Sequence, residues 1–411
     1  MDTVSFGFRA VENPLAGRAA ETGAAETGAV DTGAADTGAV DMGDVLEFHR
    51  RLPGYGPTPL VSLPGVAAQL GIRELLVKVE STRFGLPSFK MLGASWATYR
   101  ALAGRVGAPS HGAGPAGGVL GGWGDVEELA NALKPLLPFG LAAATDGNHG
   151  RAVARMARWL GFGARIFVPR GTSAARIDAI ASEGADVEVV AGGYDDAVAR
   201  SAEEAGPHCL VVSDTSWPGY MDVPRWVIEG YGTMFGEIDD ALGRAGRARP
   251  DVVVVPIGVG ALAAATVAHA RSGNRPATVI GVEPTAAACA TASALAGELV
   301  TLPAPQDSIM AGLNCGTPSP VAWPRVSAGV AGFVTIDDDW ARAAVRVLAA
   351  CGLEAGETGA AALGGLMALQ RQGRATPLAG VVGQDRSVLV LVTEGASDMP
   401  AWREILGAEL L

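Results

Sequence analysis

Lysine is nearly absent from this chain of 411 residues. Of 31 basic residues only Lys78, Lys90 and Lys134 are lysines; the rest are arginines. Cysteine is almost as scarce. Cys209, Cys289, Cys315 and Cys351 form no CxxC pair, which excludes a zinc ribbon or a dithiol redox motif and leaves reduced thiols as the expectation. The five histidines, His49, His111, His149, His208 and His269, are too scattered for a hydrolytic metal cluster, so no metal is expected. No GxSxG segment marks a serine hydrolase. No apolar run reaches the roughly 18–20 residues that span a bilayer, and the first residues lack the basic-then-apolar order of a secretory signal, so a cytoplasmic location is expected. A net charge of −12 disfavours nucleic acid and anionic membranes as partners. Aromatics are 6% of a chain that is 49% hydrophobic, so the cores must be built mainly from aliphatic side chains.

Residues 21–45 repeat with period five: ETGAA, ETGAV, DTGAA, DTGAV, DMGDV. Such units bury too little apolar surface to offset the entropy of ordering, and a flexible acidic tail over 1–45 is expected. From about residue 140 short apolar runs alternate with amphipathic stretches. The strand candidates are 141–144, 164–168, 186–190, 209–212, 251–256, 278–282, 333–336 and 387–392. Between them, 151–160 gathers Val153, Met156, Ala157 and Leu160 on one helical face, and 338–350 starts at an Asp337-Asp338 cap. Continuously apolar strands alternating with helices imply an α/β chain of two doubly wound domains with mostly parallel sheets covered on both faces. A closed eight-fold barrel is the competing architecture. The uneven helix spacing and the Gly/Pro/Ala-rich stretch 104–124, read as a surface loop, argue against it.

Four segments can carry chemistry. Lys90 stands in Ser88-Phe89-Lys90-Met91-Leu92, an apolar setting expected to lower its pKa and suit it to Schiff-base formation, which arginine cannot perform. Thr145-Asp146-Gly147-Asn148-His149-Gly150 follows a strand and opens a helix, the place where parallel sheets bind ligands. There Asn148 can donate to a ligand oxygen, and Asp146 is suited to act as a base. Gly258-Val259-Gly260-Ala261-Leu262 is a second strand-to-helix turn, whose amides can cradle a phosphate. It lacks the third glycine of a dinucleotide fingerprint, which favours a single phosphate over a nicotinamide cofactor. Thr393 ends a strand, where its hydroxyl can meet a ring nitrogen; a plain strand-end turn stays open as the alternative. A lysine, an asparagine, a phosphate cradle and a threonine together match the aldehyde, ring oxygen, phosphate and ring nitrogen of pyridoxal 5′-phosphate.

These residues resemble fold-type II pyridoxal phosphate enzymes, the tryptophan synthase β and dehydratase group, and most closely the diaminopropionate ammonia-lyases. The similar segments run in order from residue 50 to the end of the chain. They include Leu52-Pro53-Gly54-Tyr55-Gly56-Pro57-Thr58-Pro59-Leu60, Arg83-Phe84-Gly85 through Lys90, Thr145 through Gly150, Ser213-Asp214-Thr215-Ser216-Trp217 with Gly219-Tyr220, Ala311-Gly312-Leu313-Asn314-Cys315-Gly316, Gly356-Glu357-Thr358-Gly359-Ala360 and Thr393-Glu394-Gly395. The resemblance implies elimination of ammonia from D- or L-2,3-diaminopropionate through aminoacrylate, giving pyruvate and ammonia. A related lyase or β-replacement enzyme acting on another β-substituted amino acid is the alternative. It further implies Lys90 as base for the L-isomer, Asp146 for the D-isomer, and Asp214 as an acid near the β-amine. Cofactor contacts fall to Phe89, Lys90, Asn148, Gly258 through Leu262, and Thr393. Also implied are a homodimer and a division into the tail, a large cofactor domain (46–95 plus 225–411) and a small domain (96–224), while a disulfide between Cys289 and Cys315 is left open. Val79, Asn314 and Thr317 depart from the family pattern.

Overall fold

Val252-Val253-Val254-Val255 illustrates how the fold is built. Successive side chains of an extended segment point to opposite faces. Val253 and Val255 enter one buried apolar cluster, and Val252 and Val254 enter another. The same alternation separates Leu389 and Leu391 from Val388 and Val390, and Leu76 from Val77. Both faces are covered, so these strands read as unbroken apolar runs. Each valine taken fully out of water contributes roughly 1.5–3 kcal/mol.

A computed structural model of the chain describes residues 7–17, 42–106, 122–273, 275–378 and 380–407. Its strands are β1 (Phe8–Glu12), β2 (Leu60–Ser62), β3 (Glu74–Val79), β4 (Gly140–Ala144), β5 (Gly163–Pro169), β6 (Asp186–Val190), β7 (Cys209–Val211), β8 (Val252–Pro256), β9 (Thr278–Pro284), β10 (Val330–Ile336) and β11 (Ser387–Val392). They form a seven-stranded sheet in the order β1-β10-β9-β8-β11-β3-β2 and a four-stranded sheet in the order β6-β5-β4-β7. The smaller sheet is entirely parallel; the larger is parallel except at its edge strands β1 and β2. The architecture is therefore α/β with two open sheets, not a barrel. All eight expected strands form. The helices Asn148–Leu160 and Asp338–Ala350 form as well, the latter capped by Asp337 accepting from the amides of Asp339 and Trp340.

The expected tail boundary requires correction. Phe8–Glu12 pairs antiparallel with β10, in register Phe8↔Ile336. The helix Met42–Arg50 already begins inside the last repeat unit. The units before it and most of the 104–124 stretch lie outside the described residues. β3 escaped notice because Glu74 and Lys78 interrupt its apolar run.

One apolar cluster runs continuously from the inner face of the large sheet (Leu76, Val255, Leu389) to the small sheet (Ala143, Ile166). Between them lies the Lys90–Arg105 helix. It crosses Asp222–Gly230 at glycine distance: a Cβ on Gly93 would come within 2.6 Å of Tyr231 Cε1, and one on Gly230 within 2.4 Å of the Leu92 carbonyl oxygen. That contact fixes the axis of the helix whose first residue is Lys90. Among the described residues no helix is long and apolar enough to cross a membrane.

Candidate active site

The carboxyl ends of adjacent parallel strands deliver the site. β3, β11 and β8 are neighbours in the large sheet. The chain leaving β3 reaches Lys90, Thr393 follows β11, and Gly258 follows β8. In the small sheet β4 and β7 are neighbours, and they lead to Asp146 and Asp214. Every residue expected to act on substrate or cofactor lines one cleft: Phe89, Lys90, Asp146, Asn148, Asp214, Gly258 through Leu262, and Thr393. Ser88, Tyr194, Asn314, Thr358 and Glu394 line it too.

Segment 87–89 is pinned to segment 393–395. The Phe89 amide donates to the Thr393 carbonyl oxygen at 3.3 Å, and the Gly395 amide to that of Pro87 at 2.8 Å. The approach to Lys90 is anchored more deeply. Arg83 is fully buried and donates to Glu80 and Glu237, each at 2.7 Å. Lys78 Nζ donates to Glu237 at 2.6 Å and to the Thr58 carbonyl oxygen at 2.8 Å. Two cations thus meet two carboxylates in a cluster that is almost fully buried, an arrangement in which removing one partner strands a buried charge.

Lys90 Nζ donates to Asp214 Oδ2 at 2.6 Å. Asp214 Oδ1 accepts from the Tyr194 hydroxyl at 2.8 Å. This overturns the expectation of a depressed lysine pKa. Burial by itself does push the ammonium down, but the groups around it, Asp214 foremost and Asp146 with it, together outweigh that effect and Lys90 ends well above its ordinary value. Burial likewise pushes Asp214 up, yet Lys90 holds its carboxyl well below the usual range. Asn148 Nδ2 donates to Glu394 Oε2. Glu394 is pushed up to about 7, chiefly by burial and against the pull of Arg176. His149 is kept below its usual value by burial, and its Nε2 bonds the Val212 carbonyl oxygen at 2.7 Å. Cys289 and Cys315, which the resemblance allowed to pair, are free thiols beside Gly258.

Two observations test the fit of pyridoxal phosphate. The Thr393 hydroxyl is buried without a partner, as a group reserved for a ligand atom would be. At Gly258 a Cβ would lie 3.0 Å from the Gly312 carbonyl oxygen and 3.2 Å from Cys315 Sγ, so a side chain there would press on both neighbours. The turn also opens the Ala261–Arg271 helix, whose first amides have no partner within the helix. The residues fit the group.

Reading residues alone missed Tyr194. It opens the Tyr194–Ala202 helix just after β6, and the rule that parallel strands bind ligands at their carboxyl ends would have flagged it. Glu394 sat beside a chosen residue and was passed over because nothing local announces an uncapped, buried carboxyl.

Comparison with known proteins agrees with this geometry. The family model described as "pyridoxal-phosphate dependent enzyme" matches residues 51–393. Diaminopropionate ammonia-lyase of Escherichia coli (strain K12) is 36% identical over 372 residues, which is 88% of this chain and 89% of that protein. The crystal structure of Escherichia coli diaminopropionate ammonia lyase with D-serine aligns with a TM-score of 0.82 at 31% identity, covering 99% of this chain and 98% of that one. The same enzyme holding an aminoacrylate-PLP azomethine reaction intermediate gives a TM-score of 0.79 at 30% identity, with the same coverage. With its lysine, its two aspartates and its glycine turn in one cleft, the chain belongs to the diaminopropionate ammonia-lyase family of pyridoxal-phosphate dependent enzymes.

Proposed function

We propose that the protein eliminates ammonia from 2,3-diaminopropionate with bound pyridoxal 5′-phosphate, yielding pyruvate and ammonia. One observation carries the reading: two carboxylates, Asp146 and Asp214, converge on Lys90 in a single cleft. A diamine brings one more ammonium than serine, and a second carboxylate favours it. When bound, pyridoxal phosphate supplies the electron sink for charge developing at Cα. Lys90 would hold its aldehyde, Asn148 its ring oxygen, the amides of Gly258 through Leu262 its phosphate and Thr393 its ring nitrogen, with Phe89 alongside.

The remaining work falls to the chain's own groups. Lys90 Nζ takes the Cα proton of the L-isomer, and Asp146 takes that of the D-isomer from the opposite face. Lys90 can act as a base only as the neutral amine, so the proton it holds against Asp214 must pass to solvent before it takes up the aldehyde, which leaves Asp214 free to meet the substrate's β-ammonium. Asp214, oriented by the Tyr194 hydroxyl, binds the β-nitrogen until it leaves as ammonia. Water then converts the enamine product to pyruvate and a second ammonia.

The family resemblance supports a homodimer acting on a small amino acid in the cytoplasm. The two-sheet arrangement supports a large cofactor domain over 46–95 plus 225–411 and a small domain over 96–224, because β4 through β7 fall wholly within the latter. The test is to titrate the yellow holoenzyme with D- and L-diaminopropionate, serine and threonine while assaying pyruvate and ammonia. Pyruvate from diaminopropionate in preference to serine is the expected result. A cofactor-loaded protein inert toward both diaminopropionate isomers would refute the substrate.

A further inference from the structure

Asp146 is gripped from outside the cleft by a residue that the proposed chemistry leaves unused. Arg176 lies on the Ala174–Ala181 helix, which follows β5. Its Nη1 stands 3.7 Å from Asp146 Oδ2 and donates to the Asp146 carbonyl oxygen at 3.4 Å. Both direct polar contacts of the guanidinium are therefore to one residue. Its stem crosses the next one: a Cβ on Gly147 would lie 3.4 Å from Arg176 Cδ, and Gly147 has φ +154°, where a side chain is strained in any case. The Arg176 side chain is only 10% exposed and that of Asp146 is 20% exposed.

The other groups that interact electrostatically with Asp146 cannot do this work. They are Lys90, His149, Tyr194, Cys315 and Glu394. Lys90 is engaged by Asp214 at 2.6 Å, and burial opposes charge on the imidazole of His149. The remaining three are acids or neutral groups. Electrostatically Arg176 answers to Glu394 first and then to Asp146, Glu357 and Asp398, but its direct polar contacts are with Asp146.

We infer that Arg176 is the positioning residue for Asp146, aiming that carboxylate at the α-carbon of the D-isomer. The inference rests on Asp146 being the D-isomer base. One nitrogen, Nη1, faces both the main-chain oxygen and the side chain of the same residue, which favours the orientation that keeps the carboxylate on that side. At 3.7 Å the ion pair is longer than a hydrogen bond, so the carboxylate oxygen is steered without being sequestered and stays free to accept a proton. Lys90, the base for the L-isomer, lies on a different helix and does not depend on this grip.

The experiment compares the D:L ratio of kcat in wild type, R176M, R176K, D146N and R176M/D146N holoenzymes. Misplacing a catalytic group by about 1 Å costs on the order of 10²-fold, so R176M should lower the ratio by about 10- to 100-fold. R176K should recover only part of it, because an ammonium on the shorter lysine stem does not reach the place where Nη1 faces Asp146. R176M/D146N should lose nothing beyond D146N alone, as expected for residues acting through one another. The visible absorbance of bound cofactor and the thermal midpoint separate this from unfolding. R176Q, which keeps a polar side chain, reports if R176M does not fold. An R176M or R176Q ratio within about twofold of wild type, alongside a discriminating D146N, would overturn the role of Arg176 alone. Equal loss of both isomers in D146N would overturn the base assignment itself, and the inference with it.

Discussion

The three lysines have three different reasons to exist. Lys134 is exposed. Lys78 is buried where a compact ammonium fits between Glu237 and the Thr58 carbonyl oxygen and an arginine fork would not. Lys90 faces the cleft with about a fifth of its side chain accessible. Its replacement by alanine should abolish turnover, by roughly 10³-fold or more, because nucleophile and base are lost together. The visible cofactor band should vanish as well; a Lys90→Ala protein that keeps the band and its pyruvate production would remove Lys90 from the mechanism. Asp146→Asn keeps the shape and removes the base, and turnover of D-diaminopropionate should drop by about 10²–10⁴-fold while the L-isomer is far less affected. Rates measured separately on the two isomers decide it.

Two turns hold elements in place by opposite means. The 258–262 turn works through the absence of a side chain. Gly258→Ala would press a methyl group against the Gly312 carbonyl, and overpacking of roughly 1–3 kcal/mol should weaken cofactor binding about tenfold or more. Equilibrium dialysis against pyridoxal phosphate gives the answer, and unchanged affinity would mean that the turn does not cradle the phosphate. The turn after β9 works through a buried carboxyl. Glu283 accepts from the amides of Ala290 and Thr291 at 2.8 Å each, capping the Cys289–Ala296 helix. Burial nevertheless pushes it up to about 7 from an ordinary 4.5, since its hydrogen bonds offset only part of the desolvation. The folded protein then keeps a proton that the unfolded chain releases. Stability from this group is greatest below about pH 4.5 and declines as pH rises through 7, by up to about 3 kcal/mol. Thermal midpoints measured from pH 5 to 8 should fall with pH in the wild type and fall less steeply in Glu283→Gln. Parallel curves would assign the slope to other groups.

At the scale of the whole molecule, β1 closes an open edge. Asn13 adds side-chain hydrogen bonds to the Ser327 and Val330 carbonyl oxygens, each at 2.7 Å. Deleting residues 1–13 would leave β10 with a row of unpaired amides and carbonyls, a template for association. Such a protein should melt several degrees lower and show concentration-dependent light scattering, while turnover per bound cofactor stays within about twofold, because β10 is two strands from β8. An unaltered midpoint would mean that β1 contributes nothing to the fold.

The continuously apolar strands, the Asp337 cap, the two glycine turns and the isolated lysine in an apolar segment were all legible in the sequence. Each depends on neighbours within a few residues, so pattern and residue type suffice. Strand ends also name where a parallel sheet binds, which is why the chosen residues fall in one cleft. Other features came from tertiary structure alone: the antiparallel pairing of Phe8–Glu12, the approach of Arg176 to Asp146 and, above all, the raised pKa of Lys90. A local segment reports how much water a side chain loses and therefore suggested a depressed lysine. The sign reversed because the order of strands brings Asp214, 124 residues further along, to 2.6 Å from that amine. Apolar neighbours in sequence hint at desolvation, whereas charge pairing depends on which strand ends the topology sets side by side.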